Sequence, residues 1–350
     1  MNAKNNKLKM FLKVILLGAC ASVGTQAHAL KYTWKADESG NWDGNITDAA
    51  HWTCDTAGKP GYPQTSDAQV DIPAGATVTI TINEDVTTSH WRVYSGSKLT
   101  LVSAESDNAA NKNMKCLTMG QMRTETAGGT FVFDHARVKS GESVRYINSG
   151  TGIVKNGSYI TFNKMDIFEG SSSSVFSLAP GTLFETGNIF IGGGNQIIID
   201  DAIMKTVGGI YIEKGNGAIV FKGAEPKLEF TEKTKKVGGT STVDSILDFN
   251  FIIPEGGFKS TPVISKAGQQ NQFGTPYGDY GKIRINVLDE SPVVASPKKM
   301  THRLIEWDKG FDLDYVIEGN LPKKQQKRGL MQAWNCQAYI LRPSRAVCVV

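Results

Sequence analysis

From Gln69 to Phe230 the chain is a succession of β-type runs of three to five residues, each closed by Gly, Asn or Ser. Val78-Thr79-Ile80-Thr81-Ile82 alternates with period two, and the runs at 99–102, 131–133, 159–162, 175–178, 189–191, 197–199, 210–212, 219–221 and 228–230 follow it. Runs this short cannot hold a sheet alone. Equivalent apolar positions at Leu178, Ile199 and Phe221 recur after 21 and then 22 residues, the length of one coil stacked on the next so that every strand pairs with its counterparts in neighbouring turns. The expected fold is therefore all-β: a right-handed parallel β-helix, or β-solenoid, with N-terminal and C-terminal caps. An antiparallel sandwich or barrel, with strands about every 8 to 12 residues, is the competing architecture. No helical stretch supports a doubly wound fold. The 29 residues from Phe133 to Phe162 predict a longer loop on one coil.

The chain divides into five segments. Residues 1–29 carry Lys4, Lys7, Lys9 and Lys13, an apolar run from Val14 to Gly24 and then Ala27-His28-Ala29, the pattern of a Sec-type signal peptide cut before Leu30. The apolar run has 11 residues, against roughly 18 or more for a span. Leu17-Gly18-Ala19-Cys20 also has the form of a lipobox, so the alternative to a secreted or cell-surface protein is a lipoprotein anchored at Cys20. Residues 30–73 read as a Trp-rich N-terminal cap, 74–230 as the coils, 231–319 as terminal coils with a C-terminal β cap, and 320–350 as a basic tail. With the leader's four lysines removed from 38 basic groups, the remainder balances 34 acidic ones. A neutral chain argues against a nucleic-acid partner; extracellular polysaccharide or a host or cell-surface protein is the partner expected. No run in the mature chain is long enough to span a membrane as a helix.

Cys54, Cys116, Cys336 and Cys348 are an even set in a chain that leaves the cytoplasm, which permits disulfides in three connectivities. Pairing Cys54 with Cys116 and Cys336 with Cys348 joins nearby segments; buried free thiols are the alternative. No spacing suits zinc.

A carbohydrate-active enzyme would need paired carboxylates, or an acid cluster with a base. The candidates are Asp200 and Asp201, Asp134 with His135, and Asp166 with Glu169. His135, Arg137 and Lys139 alternate so as to share one strand face, a possible contact for an anionic sugar. Neighbouring acids in a strand point apart, however, and a solvated coil face is the plainer reading of both. The histidines left, His51, His90, His135 and His302, have no metal-ligand spacing. Gly192-Gly193-Gly194 reads as a tight corner, and Asp37–Asp48 as acidic enough for structural Ca²⁺, though Trp42 stands where the EF-hand loop needs Gly. Trp34, Trp42 and Trp52 either pack within the cap or form a sugar-stacking platform.

The tryptophan spacing of 8 and 10, Gly61-Tyr62-Pro63, Asp67, Asp71 and the Thr77–Ile82 run resemble the start of secreted bacterial β-helical proteins akin to autotransporter passengers and adhesins. The resemblance implies a secreted or surface-exposed right-handed β-helix of structural or adhesin-like function with no visible catalytic centre. The alternative is a polysaccharide-binding protein, or a polysaccharide lyase or hydrolase with a pectin lyase-like fold. Autotransporters end in a membrane barrel of alternating strands; with 41 residues after Lys309 and no LPxTG signal, self-translocation is not expected and any attachment comes from elsewhere.

Overall fold

A computed structural model describes residues 29–59, 61–104, 114–125, 128–145, 150–167, 174–213, 215–231, 236–239, 245–265, 272–273, 282–289, 303–307, 316–318, 337–342 and 345–349. They are all-β apart from one 3₁₀ turn at Ala49–His51, and no helix among them is long and apolar enough to cross a membrane. Residues 1–28, with Lys4 to Cys20, lie outside the described residues, as do Glu169, His302 and Cys336.

Two sheets share the chain. The 11-stranded sheet runs in unbroken chain order from Gly44–Asn45 through Thr77–Ile82, Lys98–Ser103, Thr130–Asp134, Thr151–Lys155, Val175–Leu178, Asn195–Asp200, Gly217–Lys222, Ile246–Ile253 and Lys282–Asp289 to Val316–Glu318. Every adjacent pair in it is parallel. The intervening segments form the 17-stranded sheet, parallel from Lys31–Trp34 through Gln69–Ile72, Val86–Val93, Cys116–Thr124, Arg137–Arg145, Tyr159–Ile167 and Leu183–Ile191. A chain that alternates between two parallel sheets, one strand per turn in each, is coiled as a β-solenoid, so the sandwich is excluded. Antiparallel pairs occur at the ends: Lys31–Trp34 with Trp52–Cys54, and Arg303–Trp307 with Arg345–Val349, which also pairs with Gln337–Arg342. Two strands thus lie in the segment that reads as a basic tail.

The repeat of Leu178, Ile199 and Phe221 is the strand register. The column extends on both sides, from Ile80, Leu101, Phe133 and Val154 to Phe251 and Val287. All nine are buried. Aliphatic and aromatic side chains stacked this way are worth about 1.5–3 kcal/mol each in burial, and aromatic contacts such as Phe221–Phe251 at 4.7 Å reinforce the stack. Phe162 is not the next step after Phe133: it belongs to the other sheet, and Phe133 pairs with Val154, 21 residues on. The longer excursions fall instead between Leu101 and Phe133, between Phe221 and Phe251 and between Phe251 and Val287.

Strands of the 17-stranded sheet reach nine residues, as in Cys116–Thr124, beyond the three to five legible in sequence. Their inward alternation slips at two successive half-buried residues, Ser89-His90, Gly120-Gln121 and Gly187-Asn188 in successive examples. There the strand turns a corner without breaking its ladder. From Ile203 the span splits into Ile203–Thr206 and Ile210–Ile212, both paired with Leu183–Ile191. Each full turn therefore has three straight segments. A Cβ at Gly187 would run into the carbonyl oxygen of Asn163 in the preceding coil, so this corner admits only glycine.

Candidate functional site

The tryptophan-rich start is a packed cluster. Trp34 and Trp52 are buried and meet edge to face at 4.6 Å, while His51 stacks on Trp34 at 4.7 Å. Their indole N–H groups donate to Trp42 O and Ile46 O, each at 2.8 Å. With both indoles enclosed, neither can act as an open sugar platform; Trp42 packs against the same core but is only half-buried.

The acidic loop between Trp34 and Trp52 is committed to backbone amides. The Asp37 carboxylate accepts from Ser39 Oγ at 2.7 Å and from the Ser39 and Asn41 amides at 2.8 and 2.9 Å. The Ser39 hydroxyl foremost, with those amides, holds the carboxyl below its ordinary range. Asp43 accepts from Thr79 N and Asp48 from Ala50 N. No group of three His, Cys, Asp or Glu side chains suited to a metal ion occurs among the described residues.

The candidate catalytic residues lie where the coil leaves the 11-stranded sheet. His135 and Asp201 adopt φ of 51° and 45°, as Asn156 does at 53°. This left-handed conformation is tolerated mainly by Gly, Asn, Asp and His, so both are turn residues. The strand resumes only at Arg137, so the alternation that would align His135 with Arg137 and Lys139 is broken. His135 Nδ1 lies 3.1 Å from Asn156 O. Asp201 accepts from Glu225 N at 2.6 Å in the next coil. Asp134 pairs with Lys155 at 2.9 Å and accepts from Asn156 Nδ2 at 2.5 Å. Burial pushes its carboxyl up, but these two partners outweigh burial and hold it below the usual value. Asp200 faces its register partner Lys222 at 3.6 Å. Asp134 and Asp200 stand three turns apart, about 14 Å at ~4.8 Å per strand, too far for the roughly 5–9.5 Å of a glycosidase pair. Asp166 is buried against Lys164 Nζ at 3.0 Å. The structure thus gathers none of these acids into a pair.

Arg137 and Lys139 lie on the outer face of the 17-stranded sheet, the first half-buried with its guanidinium reaching Met114 O at 3.3 Å, the second exposed. Cys54 and Cys116 are free thiols, so the bridge expected between them is not formed. The two lie in strands separated by three others of the same sheet, Lys31–Trp34, Gln69–Ile72 and Val86–Val93, beyond disulfide reach. Burial pushes the Cys116 thiol up.

Two further surfaces escape the sequence. On the outer face of the 11-stranded sheet a shallow groove of about 490 Å³ is floored by Ile198, Val220 and Ile252, with the Asp200–Lys222 pair at its side. Beside it Asp248 takes both guanidinium arms of Arg284 and an amide of Asn286. On the 17-stranded sheet, Arg92, Arg123 and Arg145 fall in one register line. Their spacings of 31 and 22 residues, set by loops of unequal length, hide that alignment in the sequence. Compared with models of known families, with curated proteins and with solved structures, the chain matches none.

Proposed function

We propose that the chain is a secreted or cell-surface scaffold, a right-handed β-helix that presents its outer faces to extracellular partners and catalyses nothing. The observation that carries this reading is the fate of the outer-face acids. Asp134, Glu185, Asp200 and Asp248 each pair with a cation at the register position one coil on, Lys155, Lys205, Lys222 and Arg284. A carboxylate engaged in tying coil to coil is spent on the fold and is not left to converge with a second acid on a substrate. The aromatic segment at 30–73 and the antiparallel strands after Arg303 serve, in this reading, as caps that keep sheet ends from pairing with other chains. Export rests on the signal-like residues 1–29, and the loose likeness to adhesin passengers points the same way. Binding of a polysaccharide is the form of the function best supported, because the described surface offers arginines aligned across coils and a shallow apolar groove.

The test is turnover by purified residues 30–350 on neutral and acidic polysaccharides, read as new reducing ends and as unsaturated uronate ends. None is expected. Cleavage of any polymer that survives Asp134→Asn and Asp200→Asn would overturn the scaffold reading and place catalysis elsewhere; cleavage abolished by either would restore these acids as catalytic.

A further inference from the structure

We propose that the outer face of the 17-stranded sheet binds an acidic polysaccharide, its carboxylates on Arg92 and Arg123 and a sugar ring against Tyr211. This deepens the scaffold reading and rests on it. The register sets Arg92 opposite Asp71, then Arg123, Arg145, Asp166, Phe190 and Tyr211 in turn. One line across consecutive coils thus runs from cations to aromatics.

In-register like charges at a strand spacing of ~4.8 Å repel. The chain answers the repulsion sparingly. Glu125 serves both described guanidinium groups, 3.6 Å from Arg92 Nε and in close contact with Arg123 Nη2. Among the described residues, the buried Nε atoms of Arg92 and Arg123 have no acceptor within hydrogen-bond range. The acids that close the row are engaged by other groups: Asp71 by Lys31 Nζ at 2.9 Å and Tyr94 OH at 3.2 Å, Asp166 by Lys164 Nζ at 3.0 Å. The side chains of Arg92 and Arg123 keep 29% and 31% exposure, enough to meet a ligand. A guanidinium presents a planar fork matched to a carboxylate, and a ladder of them matches a polymer that repeats its carboxylate.

The same line then changes character. Phe190 and Tyr211, both half-buried, stack at 5.0 Å and 26°, and the Lys164 ammonium lies 4.3 Å over the Phe190 ring. Phe190 is thus held between Lys164 and Tyr211 and sets the pose of the tyrosine, whose ring is of the kind that suits the C–H face of a sugar. A nucleic acid is a poorer fit, because backbone tracking needs a broad cationic surplus, and here Asp71 and Asp166 bound the row and Glu125 lies beside it.

The experiment measures binding of purified residues 30–350 to alginate, to carboxyl-reduced alginate and to single-stranded DNA. Alginate should bind, weakening with salt; the carboxyl-reduced polymer should not. Arg123→Gln and Arg92→Gln should each lower alginate affinity at least tenfold, and Tyr211→Ala several-fold, with the circular dichroism of the parent. Lys222→Gln, on the other sheet, should bind as the parent does. If one arginine variant loses its fold, the other and Tyr211→Ala read the same site. Alginate binding that both arginine variants retain would overturn the site and leave the scaffold reading standing. Equal binding of DNA would overturn the sugar assignment. Failure to bind either alginate or its reduced form would remove the site and the polysaccharide form of the reading together.

Discussion

His90 shows how a corner residue couples the coil to pH. It sits where Val86–Val93 bends, with Ser89 Oγ 2.5 Å from its Nδ1. Burial, with Arg92 and Arg123 adding to it and Glu142 opposing, lowers its pKa below 6.5. A histidine with a depressed folded pKa takes up its proton more readily in the unfolded chain. Its contribution to stability is therefore present above pH 6.5 and is lost as pH falls through the folded pKa. Thermal unfolding of the parent should shift downward on acidification below pH 6.5, and His90→Gln should flatten that dependence in its own window. An unchanged slope in the variant would mean that other groups carry it. The same scale explains why sequence placed His135 and Asp201 among catalytic candidates. Their left-handed φ values and coil-to-coil bonds mark them as corner formers, a property of backbone geometry that residue type alone does not separate from acid–base chemistry.

At the scale of the strand, the period-two runs of the 11-stranded sheet were legible because one side chain in two enters the core and few residues bend the strand. Thr77–Ile82 and Ile246–Ile253 keep alternation from end to end. In the 17-stranded sheet the corner shifts the phase midway, so Cys116–Thr124 and Leu183–Ile191 read as fragments, and Arg123 was invisible as part of a row. Corners depend on close approach between coils. A Cβ at Gly192 would strike the carbonyl oxygen of Glu213, one coil further along. Gly192→Ala should therefore cost about 1–3 kcal/mol, the range for forced overpacking, seen as a lower denaturation midpoint with the denaturant slope retained. Gly40, whose surroundings are open but whose φ is 84°, offers a comparison in which only backbone strain acts. A neutral Gly192→Ala would show that the coils do not approach as closely as the register requires.

For the molecule as a whole, the 21–22-residue repeat carried the solenoid, while unequal loops concealed how far the stack extends and which outer residues align. In the aromatic N-terminal segment, isolated tryptophans among turn residues need a core to bury them, and Trp34 and Trp52 find one in each other, a pairing that their spacing alone does not distinguish from a sugar-stacking platform. Binding chemistry was the part least visible: it arises from register between residues 22 and 31 apart, and no local motif records it. The central claim is that this stack holds an acidic polymer without cutting it. Size-exclusion chromatography with light scattering, on alginate incubated with purified residues 30–350, tests both halves at once. The account predicts protein co-eluting with alginate of unchanged chain mass; a falling polymer mass, or protein eluting alone, would contradict it.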